Sequence, residues 1–168
     1  MPFLDIYGAI VANTVYTDNV LTAKDVEMTL PEVTPVMADI EAMGTMSLPI
    51  WQRLDNMELA ITKIGVDNGF TSMITPKTLN FEARFIQSVT DANGNTTPKG
   101  CKAFIKCIPN KIPGIAMTVG EGSSNEITAT VTRYQLYVDG QELFLIDRLA
   151  GIVKINGVDY TKEINSLL

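Results

Sequence analysis

Histidine is absent from all 168 residues. That removes Ser-His-Asp triads, Cys-His pairs and His-ligated metals together. Cysteine occurs only at Cys101 and Cys107, which form no C-x-x-C pattern, so no zinc site is expected. Basic residues are scarce and scattered: 13 Lys and Arg stand against 19 Asp and Glu, for a net charge of −6, and no two of them adjoin. Phosphate binding needs clustered cations, so specific nucleic-acid binding is not expected. No apolar stretch reaches the roughly 18 to 20 residues of a membrane helix, which argues against membrane insertion. The start, Met1-Pro-Phe-Leu-Asp5, lacks the basic region and apolar core of a signal peptide, so a soluble cytoplasmic product is expected. Neither a P-loop nor a G-x-G-x-x-G fingerprint occurs, and Gly120-Glu-Gly122-Ser-Ser reads as a loop before a strand. Carboxylate pairs such as Glu121 with Glu126, or Asp139 with Glu142, have nothing that lifts them above surface solvation. The expectation is a non-enzyme with no catalytic residues, no cofactor and no metal.

What is present fits one well-cored domain over residues 1–168, since 46% of residues are hydrophobic and 19% charged. From Thr78 to Val89, Leu79, Phe81, Ala83 and Phe85 alternate with Asn80, Glu82 and Arg84, the period-2 signature of a half-buried strand. Asp91 to Pro98 reads as a loop, and Cys101 to Ile108 returns as a strand with Lys102 and Lys106 on one face. Two cysteines six positions apart on one strand lie about 20 Å apart, beyond the ~7 Å Cα limit of a disulfide, so buried reduced thiols are expected. Glu126 to Val138 reads as a long strand whose apolar phase changes near Arg133, which predicts either a bulge or a move from one buried surface to another. Leu59 to Val66 alternates loosely as a strand. Asp67 to Thr75 suits a short helix capped by Asp67 or Asn68 and ended by Pro76. Leu30 to Trp51, punctuated by Pro31, Pro35 and Pro49, reads as extended chain and a long loop. Met37, Met43 and Met46 beside Trp51 suit either an adaptable contact surface or the domain's own core. Thr161 to Leu168 reads as a terminal helical turn, with Leu167 and Leu168 packing back.

The last thirty-five residues carry the most information. Short apolar runs flank Asp139-Gly140, and a second pair surrounds Asn156-Gly157. Such dipeptides suit two-residue hairpin turns, whose central residues both need φ > 0. The order aromatic-x-Leu-x-Val-Asp-Gly-x-Glu from Tyr134, then Ile155-Asn-Gly-Val-Asp159, resembles the tail tube proteins of contractile phages and R-type bacteriocins. A second zone of resemblance runs from Thr29-Leu30-Pro31 through Asp39-Ile40-Glu41 to Met43-Gly44. The family usually shows a Gly-Gly or Gly-x-Gly turn where this chain has only Gly44.

The resemblance implies an antiparallel β-sandwich or barrel with one short flanking α-helix and long loops. It implies hexameric rings stacked into a hollow tube inside a sheath, for DNA passage or membrane puncture. Partners implied are further copies of the chain, a sheath protein, and baseplate and tape-measure proteins. Assembly is implied in the bacterial cytoplasm, ending in a virion tail or a released particle. On this reading Ile40, Met43, Met46, Leu48 and Trp51 contact the adjacent ring or subunit. Glu82 and Arg84 face the lumen, while Phe70 and Ser72 meet the sheath. A net charge of −6 per copy would suit an acidic lumen that repels DNA. Two alternatives stand beside it: a type VI secretion tube component, and a monomeric β-barrel that binds an apolar ligand among methionines and aromatics.

Overall fold

The computed structural model describes residues 3–168; Met1 and Pro2 of the N-terminus lie outside them. Four long strands form its spine: β1 (Ile6–Thr17), β7 (Leu79–Thr90), β8 (Thr96–Pro109) and β9 (Ser124–Val138). Around them lie β2 (Val20–Lys24), β3 (Glu27–Thr29), β6 (Met57–Ile64), β10 (Gln141–Asp147), β11 (Ile152–Ile155) and β12 (Val158–Asp159). These ten strands make one antiparallel sheet in the order β12-β11-β10-β9-β8-β7-β1-β2, with β6 also on β9 and β3 on β6. A separate two-stranded sheet joins β4 (Pro35–Glu41) to β5 (Thr45–Leu54). Two short helices complete the chain, α1 (Asn68–Ile74) and α2 (Lys162–Ser166).

The alternation read from β7 is the register seen. Leu79 stands opposite Cys107, Phe81 opposite Ile105 and Ala83 opposite Ala103, and all six side chains are buried. Their neighbours Asn80, Glu82 and Arg84 lie on the other face. Cys101 and Cys107 are both free and buried in β8.

The phase change in β9 is a bulge. Lys106 pairs with Arg133 and Cys107 with Val131, which leaves Thr132 without a partner on β8. The bulge lies where β9 changes neighbours on its other edge. Residues up to Val131 pair with β6, and those from Arg133 onward pair with β10. Two inward phases follow, Ile127, Ala129 and Val131 before the bulge and Tyr134 after it, all in one core. Met57, Leu59 and Ile61 of β6 meet Val15 of β1 and Ile146 of β10 in that same cluster, so the branched sheet wraps around it. Burying each such side chain is worth about 1.5–3 kcal/mol, which makes this cluster the main source of stability.

Helix α1 closes the cluster. Asp67 caps it, its carboxylate accepting from the Phe70 amide at 2.9 Å, and Phe70 and Met73 point inward. The hairpin turns behave as the dipeptides predict: Asp139 and Gly140 have φ of 51° and 77°, Asn156 and Gly157 51° and 80°.

Three readings are corrected, and one strand went unread. Leu30 to Trp51 is not a long loop, because β4 and β5 form a ladder from Pro35↔Leu54 to Glu41↔Thr45, turning at Met43-Gly44. Pro35 and Pro49 sit in that ladder without breaking it, since a two-stranded sheet has only edge strands and a missing N–H can face outward. Pro98 likewise lies inside β8, opposite Ser88, where β9 has not yet begun to pair. The strand β1 and its Asp18-Asn19 turn, with φ of 49° and 68°, had an unread signal in that dipeptide. Leu167 and Leu168 do not pack back; they are exposed. What anchors the C-terminus is polar: buried Thr161 donates to the Gly151 carbonyl at 2.8 Å, and the Asn165 amide donates to the same oxygen at 2.9 Å.

Candidate assembly surfaces

The β4–β5 hairpin buries little of itself. Met37, Ile40, Met43, Met46, Leu48 and Trp51 are all exposed, Met43 completely. Met37, Met43 and Met46 are therefore not part of the domain's core, nor do they line an internal cavity. Asp39 and Ser47 hydrogen-bond across the ladder. At its root, Pro31, Val33 and Trp51 close an apolar groove with Tyr134, Phe144, Ile146 and Ile155. The Asp55 amide donates to the Thr34 carbonyl at 2.8 Å, so the root is fixed while the tip is free. So many uncovered apolar side chains on one projecting element mark an interaction surface.

A second surface is the outward face of β7, β8 and β9. Glu82 and Arg84 lie on it, as alternation predicts, and form an ion pair at 2.7 Å. The Arg84 guanidinium also stands 4.4 Å over the Tyr16 ring, and both contacts hold its pKa above the ordinary value. Cross-strand register adds Lys102, Phe104 and Lys106 from β8, then Tyr137, Gln135 and Arg133 from β9. Phe104 and Tyr137 meet edge to face at 5.7 Å. Glu142 on β10 accepts from Gln135 at 2.8 Å. Among these β7–β9 positions Glu82 is the one acid beside four cations, and the negative charge of the chain lies elsewhere.

Phe70 and Ser72 part company. Phe70 is only 3% exposed and belongs to the core, so it is unavailable to a sheath. The reason is the cap: a helix starting at Asn68 turns its third residue inward, against the strands. Ser72 stays exposed, its hydroxyl donating to the Asn68 carbonyl at 2.9 Å.

Two uncovered stretches escaped the sequence reading. Ile6, Tyr7, Ile10 and Val11 are exposed along the first half of β1, and Ile112, Met117 and Val119 in the loop before β9. Their signal was a lack of charge, since no ionisable acid or base occurs from Ile6 to Thr17 or from Ile112 to Gly120 except Tyr7 and Tyr16.

Among the described residues no group of three or more Cys, Asp or Glu side chains is placed to hold a metal ion. Among the described residues no helix is long and apolar enough to cross a membrane. The fold is an antiparallel β-module that leaves several apolar stretches exposed. Residues 9–168 match the family described as phage tail tube protein FII, and the chain belongs to that family. It is a structural tail tube protein. Two solved structures share its fold, both from an extracellular contractile injection system in the extended state. One is a chain of the PVC sheath-tube complex, with 11% identity and a TM-score of 0.51 over 74% of this chain and 87% of that one. The other is a chain of the PVC sheath/tube terminator, with 9% identity and a TM-score of 0.51 over 74% of this chain and 92% of that one. Among curated proteins no sequence match is found.

Proposed function

We propose that this protein forms the inner tube of a contractile tail, as hexameric rings stacked into a hollow conduit inside a sheath. The observation that carries this reading is the β4–β5 hairpin, whose apolar side chains have no cover among the described residues. A projecting hairpin that seats on a different surface of the next copy makes a heterologous contact. Such contacts repeat, closing into a ring in one direction and extending openly in the other. Ile40, Met43, Met46, Leu48 and Trp51 are the contact residues in this reading. Glu82 and Arg84 face the channel, and Ser72 lies on the sheath side. The unpaired outer edge of β1 ahead of Thr14 supports pairing between sheets of adjacent subunits, which removes an exposed edge. Baseplate and tape-measure proteins complete the assembly, which takes place in the bacterial cytoplasm before the tube enters a virion tail or a tail-like particle. The conduit serves DNA passage in a phage and membrane puncture in a bacteriocin.

Negative-stain electron microscopy of the concentrated protein, alone and co-expressed with sheath and baseplate proteins, tests this. Rings or hollow tubes with six-fold averages are expected. Uniform small particles under both conditions would overturn the reading. Deleting Met43 to Pro49 should abolish stacking; tubes that form unchanged would remove the hairpin from the interface.

A further inference from the structure

The outward face of β7–β9 carries an electrostatic conflict. Arg84 stands directly opposite Lys102, and Lys106 directly opposite Arg133. Like charges directly opposite one another across strands are destabilising. Both pairs sit on one face, about 13 Å apart along β8 at about 3.3 Å per residue. The two arginines have partners of their own, Glu82 at 2.7 Å and Asp147 at 3.8 Å. Lys102 and Lys106 are exposed, and among the described residues neither has a carboxylate within 4.0 Å. A chain of net charge −6 thus concentrates cations on one face and leaves two of them uncompensated.

We propose that this face binds an acidic polypeptide, whose carboxylates pair with Lys102 and Lys106. The conflict then exists only in the free chain and is relieved by the partner's charge. Carboxylate is favoured over nucleic-acid phosphate by what surrounds the cations. Glu142 and Asp147 of β10 stand opposite Tyr137 and Arg133, and Glu82 lies between the two cationic pairs. Three fixed acids repel a continuous phosphate backbone, which has no donor to offer them. An acidic polypeptide brings backbone N–H donors for these acids as well as carboxylates for the lysines, and so can satisfy both signs. Phe104, between the lysines on β8, and Tyr137, opposite Lys102 on β9, are half-buried and offer apolar contact to the same chain. Where the partner runs rests on the channel reading of Glu82 and Arg84; the binding itself does not.

The test uses the full chain at low salt, with fluorescent poly-L-glutamate and a short duplex DNA as separate probes read by anisotropy. Poly-L-glutamate is expected to bind more tightly than DNA. The Lys102→Glu/Lys106→Glu variant should lose at least about tenfold of that affinity. The same variant should keep or raise its Tm, because each new carboxylate faces an arginine across the strands. Lys102→Gln/Lys106→Gln should weaken binding less. DNA binding that equals or exceeds poly-L-glutamate binding overturns the polypeptide in favour of nucleic acid. No poly-L-glutamate binding by the unaltered protein, or binding that survives both variants, overturns the site. Ring formation is read separately by microscopy, so the tube reading and this one can fail independently.

Discussion

The Arg148 guanidinium donates to the Leu54 carbonyl at 3.0 Å and ties the β10–β11 turn to the root of the projecting hairpin. The two residues are 94 positions apart, and the contact spans the gap between the two sheets. Asp147 holds the turn itself, accepting from the Leu149 and Ala150 amides at 3.1 Å. Arg148→Ala should leave global stability nearly unchanged, because the contact is exposed. It should raise amide hydrogen exchange at Leu54 and Asp55 and shorten or abolish tubes. Unaltered exchange at those two amides would show that the hairpin is fixed by the apolar groove alone.

Asp67 gives a pH-dependent handle on α1. The Phe70 amide, chiefly, and Lys63 at 3.4 Å hold its pKa below the ordinary carboxylate value of 3.8. A carboxylate with a lowered folded pKa contributes stability above its unfolded pKa, and that contribution is lost as pH falls through the folded value. Asp67→Ala should cost about 1 kcal/mol near neutral pH, the usual value of a lost cap. The difference between variant and parent should shrink below about pH 4. Urea midpoints at pH 7 and pH 3 measure it, and a constant difference would place the effect in packing.

Gly69 is a close-approach glycine. A Cβ there would lie 2.5 Å from the Thr22 carbonyl oxygen, a backbone atom that cannot swing aside. Gly69→Ala should destabilise by about 1–3 kcal/mol, the usual cost of overpacking, despite alanine's better helix propensity. Gly114→Ala is the control, since nothing lies within 4 Å of its added methyl. Equal denaturation midpoints for the two variants would mean that α1 shifts freely against β2.

Cys107 should be chemically silent in the folded protein. Burial pushes its thiol up to about 12, so almost no thiolate exists at pH 8. A disulfide-exchange reagent should therefore leave it unmodified until denaturant is added, when both cysteines should react. Rapid labelling of Cys107 under native conditions would reveal frequent local opening of β8 against β9.

Much of the scaffold was legible locally. Leu79, Phe81 and Ala83 reveal their strand by alternation, Asp67 its helix by a cap, and Asp139-Gly140 and Asn156-Gly157 their turns by φ preference. The bulge at Thr132 was visible as a broken phase. The candidate surfaces were legible only in part. Met43 and Trp51 were named, yet their exposure was open, because a methionine run is the same sequence in a core and on a tip. Phe70 was assigned outward and lies inward, since a seven-residue helix carries too few apolar positions to fix its own face.

The sequence by itself determined which residues alternate, where the chain turns and which chemistry is missing, since these depend on neighbours a few positions apart. Only the tertiary structure decided that β9 changes partner from β6 to β10 at its bulge. It alone set Arg84 against Lys102 and left the β4–β5 hairpin uncovered. Strand pairing joins residues far apart in the chain, and exposure depends on what else packs nearby. Neither quantity is a property of any short stretch of sequence.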